Sequence, residues 1–252
     1  MPRLFDSLKV GRLNLRNRIV MPPMATEFST TKGEVTYRLV KHYVERAKDL
    51  GLLIVEHTYV APEGRMSTHQ LGAYSDELIS GLKRLTEAIH TFETPVALQI
   101  THAGSATTEA TCGVQPLGPF PIDNPRSGEV PRALSREEIG GIVAAFTEAA
   151  RKAFEAGFDA VEIHGAHGFL LSQFLSPLTN KRTDKYGGAL EKRARLALEV
   201  IKGIRVQLGE GYPLLYRLGA DDLLPEGLTL EEGTQAAKMI ADAGVNIIDV
   251  SG

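Results

Sequence analysis

The sequence lacks features that define whole classes of protein. Its 252 residues include a single cysteine, Cys112, so the chain cannot form an internal disulfide or ligate an iron–sulfur cluster with its own cysteines. No run of roughly 18 apolar residues is present, as a membrane-spanning helix would need. The first 18 residues also lack the apolar core of a signal peptide. These absences predict a cytoplasmic protein with no membrane partner.

Excess positive charge is missing as well. The formal net charge is -3, whereas binding to nucleic acid or to a membrane surface needs a concentrated positive field. The expected partner is therefore a small molecule. With 43% hydrophobic residues over 252 positions, the chain can bury one large core, and α/β barrels of about this length form single domains. We treat residues 1–252 as one domain.

Short apolar runs alternate with amphipathic stretches along the chain. The runs predict strands at 18–21, 52–60, 95–101, 159–164, 213–219 and 246–252. The amphipathic stretches predict helices near 36–49, 76–92, 135–156, 190–208 and 229–243. The sequence predicts that two helices begin with capping boxes, Ser135 with Glu138 and Thr229 with Glu232, and LKVGRLNL predicts a hairpin that turns at Gly11. Such alternation predicts a parallel sheet, either doubly wound or closed into a barrel.

The polar residues of the strands favour the barrel. Side chains alternate along a strand, which places five polar residues on one face, mostly near the carboxyl ends of their strands: Gln99, Glu162, His164, Arg217 and Asp249. Buried polar groups need partners, and a barrel lumen brings such residues around one ligand. The predicted fold is therefore an α/β TIM (β/α)8-type barrel, incomplete with about six βα units after an amino-terminal β-hairpin.

The stretch AVEIHGAHGFLLSQF, residues 160–174, carries two closely spaced histidines. His164 and His167 could ligate a metal with Glu162 as a third ligand, which would make the protein a metal-dependent hydrolase. They could instead donate two hydrogen bonds to one oxygen. A further alternative is a catalytically silent barrel fragment that self-associates through open sheet edges. This alternative leaves a homo-oligomer open.

Longer motifs resemble one family. The run HGAHGFLLSQFLSPLTNKRTDKYGGALEKRAR (164–195), with NRIVMPPM (17–24), VALQITHAG (96–104) and IIDVSG (247–252), resembles the Old Yellow Enzyme family, including its ene-reductase and 2,4-dienoyl-CoA reductase-like branches. The resemblance spans the chain and implies a TIM barrel with FMN at its carboxyl-terminal mouth. It also implies hydride transfer from NADH or NADPH, through the flavin, to an α,β-unsaturated carbonyl or acid.

The resemblance further implies roles for individual residues. Those expected to contact the cofactor are Pro22, Pro23, Met24 and Ala25 beneath the ring, His57 beside it, Gln99 at the pyrimidine edge, and Arg217 near N1 and O2. Those expected to contact the substrate are His164 and His167, as catalytic hydrogen-bond donors, together with Glu27 and Phe169. A permanently cationic guanidinium stabilises the negative charge of a reduced flavin. A carboxamide can both donate to and accept from the pyrimidine edge.

The sequence departs from the family pattern at Ala25, where many relatives carry a thiol or hydroxyl, at Phe169 and at its carboxyl-terminal end. Phe169 occupies a position where relatives commonly carry a tyrosine that protonates the substrate, so another donor is needed, such as Tyr37, Tyr59, Tyr74 or water. The chain also ends after its sixth strand, before the loops that grip the FMN phosphate in the family. We therefore expect this chain alone to bind FMN weakly or not at all. In TNKRTDKYGG, residues 179–188, we expect Arg182 and Asp184 to pair and fix a loop.

Overall fold

The computed structural model describes residues 2–251. Its strands are β1 (Leu8–Val10), β2 (Leu13–Leu15), β3 (Val20–Met21), β4 (Leu52–Tyr59), β5 (Val96–Thr101), β6 (Leu117–Gly118), β7 (Arg132–Ala133), β8 (Ala160–Gly165), β9 (Leu214–Gly219) and β10 (Ile247–Ser251). Its helices are α1 (Tyr37–Ala47), α2 (Ile79–His90), α3 (Glu109–Cys112), α4 (Arg136–Glu155), α5 (Leu170–Leu175), α6 (Leu190–Arg193), α7 (Arg195–Leu208) and α8 (Leu230–Asp242). Within this described range, no helix combines the length and apolar character needed to cross a bilayer.

The order of the strands distinguishes a barrel from a doubly wound sheet. Six strands form one sheet in the order β3-β4-β5-β8-β9-β10, and every neighbouring pair is parallel. This spatial order is also the chain order, whereas a doubly wound sheet reverses direction at a switch point. Right-handed crossovers that always advance in one direction place all helices on one face of the sheet. The predicted incomplete TIM-type barrel is thus confirmed.

The two faces of the sheet carry different cores. On the outer face, residues such as Leu98, Ile163 and Tyr216 pack against the helices in the larger hydrophobic cluster. On the inner face, a smaller apolar cluster fills the amino-terminal end of the lumen; it comprises Leu52, Ile54, Ala97, Ala160 and Leu215, together with Leu13 and Leu15 from β2. Apolar side chains therefore fill the amino-terminal end of the lumen, and polar side chains lie at its carboxyl-terminal end.

The predicted hairpin closes the apolar end. β1 and β2 pair antiparallel, with Leu8 opposite Leu15, and Gly11 turns the chain with a φ of 56°. A positive φ suits glycine because it lacks a Cβ. The hairpin covers the base of the lumen, so the candidate site lies at the carboxyl ends of the strands.

One predicted capping box is confirmed and the other is wrong. At α4, Ser135 Oγ accepts from the Glu138 N–H at 3.2 Å, and Glu138 Oε2 accepts from the Ser135 N–H at 2.8 Å. At α8, Thr229 Oγ accepts from the Glu232 N–H, but the Glu232 carboxylate accepts from Arg193 Nη2 at 2.7 Å instead. Arg193 is buried, and a buried guanidinium needs a charged partner.

The loop of residues 179–188 is structural, as predicted. Arg182 forms a forked ion pair with Asp184, with Nη2 to Oδ2 at 2.7 Å and Nε to Oδ1 at 3.1 Å. Arg182 Nη1 also donates to the carbonyl oxygens of Pro119 and Leu134, at 3.1 and 2.6 Å. Because those carbonyls lie in the long segment between β5 and α4, Arg182 ties that segment to the loop before α6.

We expect Arg182→Met to lower the free energy of unfolding by about 2–4 kcal/mol, because it removes the forked ion pair to Asp184 and leaves the carbonyls of Pro119 and Leu134 without this donor. Urea denaturation followed by circular dichroism measures the change. Arg195→Met is the matched control, since the half-buried Arg195 makes one exposed hydrogen bond among the described residues, to the Lys185 carbonyl, and we expect it to change stability by no more than about 0.5 kcal/mol. Equal stabilities for the two variants would refute the assigned role of Arg182.

Candidate active site

Polar side chains from four adjacent strands converge at the carboxyl end of the sheet. Gln99 of β5 and Glu162 of β8 are cross-strand partners, and Gln99 Nε2 donates to Glu162 Oε2 at 2.7 Å. His164 of β8 lies opposite Arg217 of β9, and Arg217 Nε lies 3.5 Å from Asp249 Oδ2 of β10. The five residues predicted to share a polar face therefore form one cluster, named here the lumen cluster.

His164 is buried and electrically neutral. Its Nδ1 accepts the backbone N–H of Ala166 at 3.2 Å, so the single proton of the neutral ring lies on Nε2. Burial, together with the nearby His167, His57 and Arg217, holds the pKa of His164 well below its usual value. The next residue, Gly165, passes so close to Tyr216 that a Cβ there would overlap the tyrosine ring. His164 thus offers one N–H donor from a fixed position.

His167 lies at the exposed rim, next to His164. The two ring centroids are 5.0 Å apart with an interplanar angle of 81°. His167 has a φ of 58°, a region that non-glycine residues rarely occupy. Its Nε2 lies 2.7 Å from Ser251 Oγ, which also accepts from Arg217 Nη2 at 3.2 Å. Partial burial and the Arg217 charge lower the pKa of His167. The structure therefore brings together the two predicted donors.

Phe169 packs against two imidazole rings. It stacks on His57 at 5.6 Å with an angle of 24°, and it meets His164 edge-on at 4.7 Å. His57 Nδ1 lies 2.9 Å from Gln70 Nε2, while Gln70 Oε1 accepts from the Met66 N–H, so the Gln70 amide donates to His57. Burial lowers the pKa of His57 to about 4. No pattern in the sequence marks Gln70 as part of the site.

The residues predicted to lie beneath the flavin follow β3 directly. Pro23 is buried, whereas Pro22, Met24 and Ala25 are exposed, and Met24 exposes 61% of its surface. A large apolar side chain this exposed at the end of a barrel strand is suited to contact with a ligand. The Glu27 carboxylate accepts from the Ser67 hydroxyl and the His69 N–H, so Glu27 anchors the neighbouring loop. Its predicted substrate contact remains a prediction.

The three tyrosines considered as proton donors lie elsewhere. Tyr59 and Tyr74 stack on each other at 5.1 Å and line a separate pocket beside Cys112. Tyr37, at the start of α1, is 83% exposed. The structure groups Phe169, and none of these tyrosines, with the histidines.

A cavity of about 490 Å³ opens beside His167. His167, Gly168 and Ser251 line it from the barrel, and Arg126 lines it from the segment between β5 and α4. Arg126 Nη1 donates to the His167 carbonyl at 3.3 Å, and its guanidinium lies 5.7 Å from the Phe169 ring centroid. Sequence reasoning missed Arg126 because it lies in an irregular loop with no periodicity to mark it.

The chemistry of the lumen cluster suits a flavin ring. Glu162 Oε1 and Arg217 Nε are buried without a hydrogen-bond partner among residues 2–251, so the lumen has unused polar capacity next to Gln99. An amide and a guanidinium match the polar edge and the negative charge of a reduced flavin. The residues present therefore fit the group that the sequence motifs implied.

Comparison with known proteins agrees with this chemistry. The profile of the NADH:flavin oxidoreductase / NADH oxidase family matches residues 3–252. The chain belongs to this family. The resemblance to Old Yellow Enzymes is thereby confirmed, and with it an association with FMN and NAD(P)H as the redox cofactors of the family.

Three relatives illustrate the match. The chain is 45% identical to an NADH oxidase of Thermoanaerobacter brockii over 99% of its own length but only 39% of that protein. It is 42% identical to an NADPH dehydrogenase of Bacillus cytotoxicus, covering 99% of the chain and 71% of the relative. An Old Yellow Enzyme homologue from Zymomonas mobilis superposes with a TM-score of 0.92 at 31% identity, over 98% of this chain and 72% of the other.

The structure of this chain does not support the alternative of a metal centre. Within the described range, no group of three or more His, Cys, Asp or Glu residues is arranged to hold a metal ion. The Glu162 carboxyl, which the metal alternative required as a third ligand, accepts a hydrogen bond from Gln99.

Burial of Glu162 predicts a pH-dependent stability. Desolvation and the nearby Asp249 raise its pKa to about 8, above the value it would have in the unfolded chain. The protonated carboxyl therefore makes its full contribution to the free energy of unfolding at low pH. That contribution is lost as the pH rises toward 8, by up to about 1.4 kcal/mol per pH unit. We expect Glu162→Gln to flatten the decline in unfolding free energy between pH 5 and 9. Parallel curves for both proteins would show that Glu162 does not titrate in this range.

Proposed function

We propose that the lumen cluster binds FMN and that the protein transfers hydride from NADH or NADPH, through the flavin, to an α,β-unsaturated carbonyl or acid. The proposed unit is one TIM-barrel domain formed by residues 1–252. One observation carries the proposal: Gln99, His164 and Arg217, from three adjacent strands, meet at the carboxyl end of the barrel, beside a rim that presents a second histidine. Membership of the flavin oxidoreductase family supports it.

In this proposal the cofactor supplies two-electron redox chemistry and the chain binds and orients it. Gln99 uses one N–H on Glu162, which leaves its carbonyl oxygen and second N–H for the pyrimidine edge. Arg217 provides a fixed positive charge for N1 and O2. His57 and the segment Pro22–Ala25 contact the ring from β4 and from the end of β3.

The two histidines bind the substrate oxygen. Both are held largely neutral, so each donates an N–H without carrying a charge. Hydride addition to the alkene builds negative charge on that oxygen, and donors already in place stabilise it. Phe169 forms an apolar wall beside them. Since Phe169 has no acidic proton, we assign the proton that completes the reduction to water entering the mouth.

Product analysis tests this function. The chain is mixed with saturating FMN, NADH or NADPH, and either an α,β-unsaturated ketone or the corresponding acid, without oxygen. We expect nucleotide oxidation to match the formation of saturated product, and the double variant His164→Leu/His167→Leu to form almost none. Nucleotide oxidation without saturated product would contradict the proposed substrate class.

A further inference from the structure

Glu162 is a buried carboxyl to which the proposed reaction gives no role. It lies in the middle of β8 with a relative exposure of 0%. Its Oε2 accepts from Gln99, and its Oε1 is buried without a partner among residues 2–251. Burying a carboxyl is costly, so its position directly opposite Gln99 in the strand register calls for a physical account.

The bond from Gln99 determines which end of its amide faces the lumen. A primary amide has a donor end and an acceptor end of nearly equal shape, and a half-turn of its terminal torsion exchanges them. A carboxyl oxygen with free lone pairs selects the donor end, Nε2. Gln99 Oε1 must then point away from Glu162, which fixes the order of donor and acceptor that Gln99 presents to a ligand.

This selection does not depend on the ionisation of Glu162. The charged groups that affect it are Asp249 of β10, which favours its protonated form, and Arg217 of β9, which favours its ionised form, while Gln99 of β5 donates to it. A protonated carboxyl retains a carbonyl oxygen that accepts from Nε2, and an ionised one accepts more strongly. The Gln99 amide is therefore held in one orientation in either state.

We propose that Glu162 is a positioning residue that orients the Gln99 amide for the pyrimidine edge of the flavin. This inference rests on the proposed flavin site. Glu162 itself acts through Gln99, so a variant that keeps an acceptor at position 162 retains the function, and one that removes it does not.

The first test needs no cofactor. The side-chain amide signals of Gln99 are identified in the ¹H–¹⁵N spectrum of the chain by their loss in Gln99→Leu. We expect Glu162→Leu to shift them strongly. Glu162→Gln, which keeps an acceptor oxygen, should shift them little and abolish any pH-dependent movement near pH 8.

Glu56→Gln is the matched control, because Glu56 is an equally buried carboxyl that bonds to Tyr43 instead. Unchanged Gln99 signals in Glu162→Leu would overturn the proposal, and the Glu162→Gln titration decides the question if the leucine variant fails to fold.

The second test uses FMN binding, measured by quenching of flavin fluorescence. We expect Gln99→Leu and Glu162→Leu each to weaken binding by about tenfold or more, and the double variant to bind no more weakly than the weaker single variant. Glu162→Gln should stay within about threefold of the unaltered chain. Effects that multiply in the double variant would overturn the positioning role. FMN binding by the unaltered chain that neither Gln99→Leu nor Arg217→Leu weakens would instead contradict the proposed flavin site, and the amide spectra would still decide the role of Glu162.

Discussion

Arg217→Leu is expected to weaken FMN binding by about 10- to 100-fold and to lower the midpoint potential of the bound flavin, because a charge-assisted contact is lost. Arg217 lies in the lumen with its Nε buried and unpartnered among the described residues, and Asp249 is its nearest ionic partner at 3.5 Å. A guanidinium there favours the anionic reduced flavin over the neutral oxidised form.

The sign of the effect can be checked with a second variant. Asp249→Asn removes the negative charge beside Arg217, so it should raise the midpoint potential while Arg217→Leu lowers it. Spectroelectrochemical titration of both variants with excess FMN measures the two shifts. Equal potentials in all three proteins would show that the lumen arginine does not face the flavin.

His164→Leu is expected to reduce kcat/KM for an unsaturated ketone by about 100- to 1000-fold, the usual cost of removing one donor to a developing oxyanion. The His164→Leu/His167→Leu double variant should lose less than the product of the two single losses, because the two donors act on one oxygen. His90→Leu is the matched control, since His90 pairs with Asp159 at the protein surface, and it should retain full activity.

The pH profile adds an independent check on the histidines. Burial holds the pKa of His164 well below its usual value, so the ring is neutral at the pH where a free imidazole titrates, about 6.5, and above it. We therefore expect kcat/KM to show no titration of His164 between pH 6.5 and 8. If kcat/KM changed with pH in that range, and the change disappeared in His164→Leu, His164 would be titrating there. That result would contradict its role as a neutral donor.

Much of the fold was predictable because periodic patterns in the sequence mark its strands and helices. The six parallel strands, the hairpin at Gly11 and the polar face of the lumen all follow from alternation and turn residues. Alternation is a local rule, so it also predicted that Gln99 and Glu162 lie on one face. It could not predict that they bond to each other, because that contact depends on the register between β5 and β8.

β4 shows where the local rule fails. Alternation from Leu52 and Ile54 would place Glu56 in the lumen. The pairing of β4 with β5 shifts between Val55 and Thr58, and Glu56 is bonded by the Tyr43 hydroxyl of α1 at 3.1 Å. The same hydroxyl accepts the Glu56 backbone N–H at 2.8 Å. A bulge is set by strand pairing and packing, which no single-strand pattern contains.

The rim of the candidate site was the least predictable part. Arg126 and Gln70 lie in irregular segments, and each acts on a predicted residue, His167 or His57. Ser251 ends the polar face of β10, but its bond to His167 joins residues 84 positions apart. Such contacts arise only after the strands and loops are assembled. The sequence therefore predicts which residues belong to the site better than it predicts which residues they contact.

A crystal structure of the chain grown with millimolar FMN tests the central claim most directly. The account predicts that the flavin ring lies at the carboxyl end of the sheet, with its pyrimidine edge on Gln99, its N1 and O2 side at Arg217, and its open face toward His164 and His167. A flavin bound outside the lumen, or one that makes no contact with Gln99 and Arg217, would contradict it.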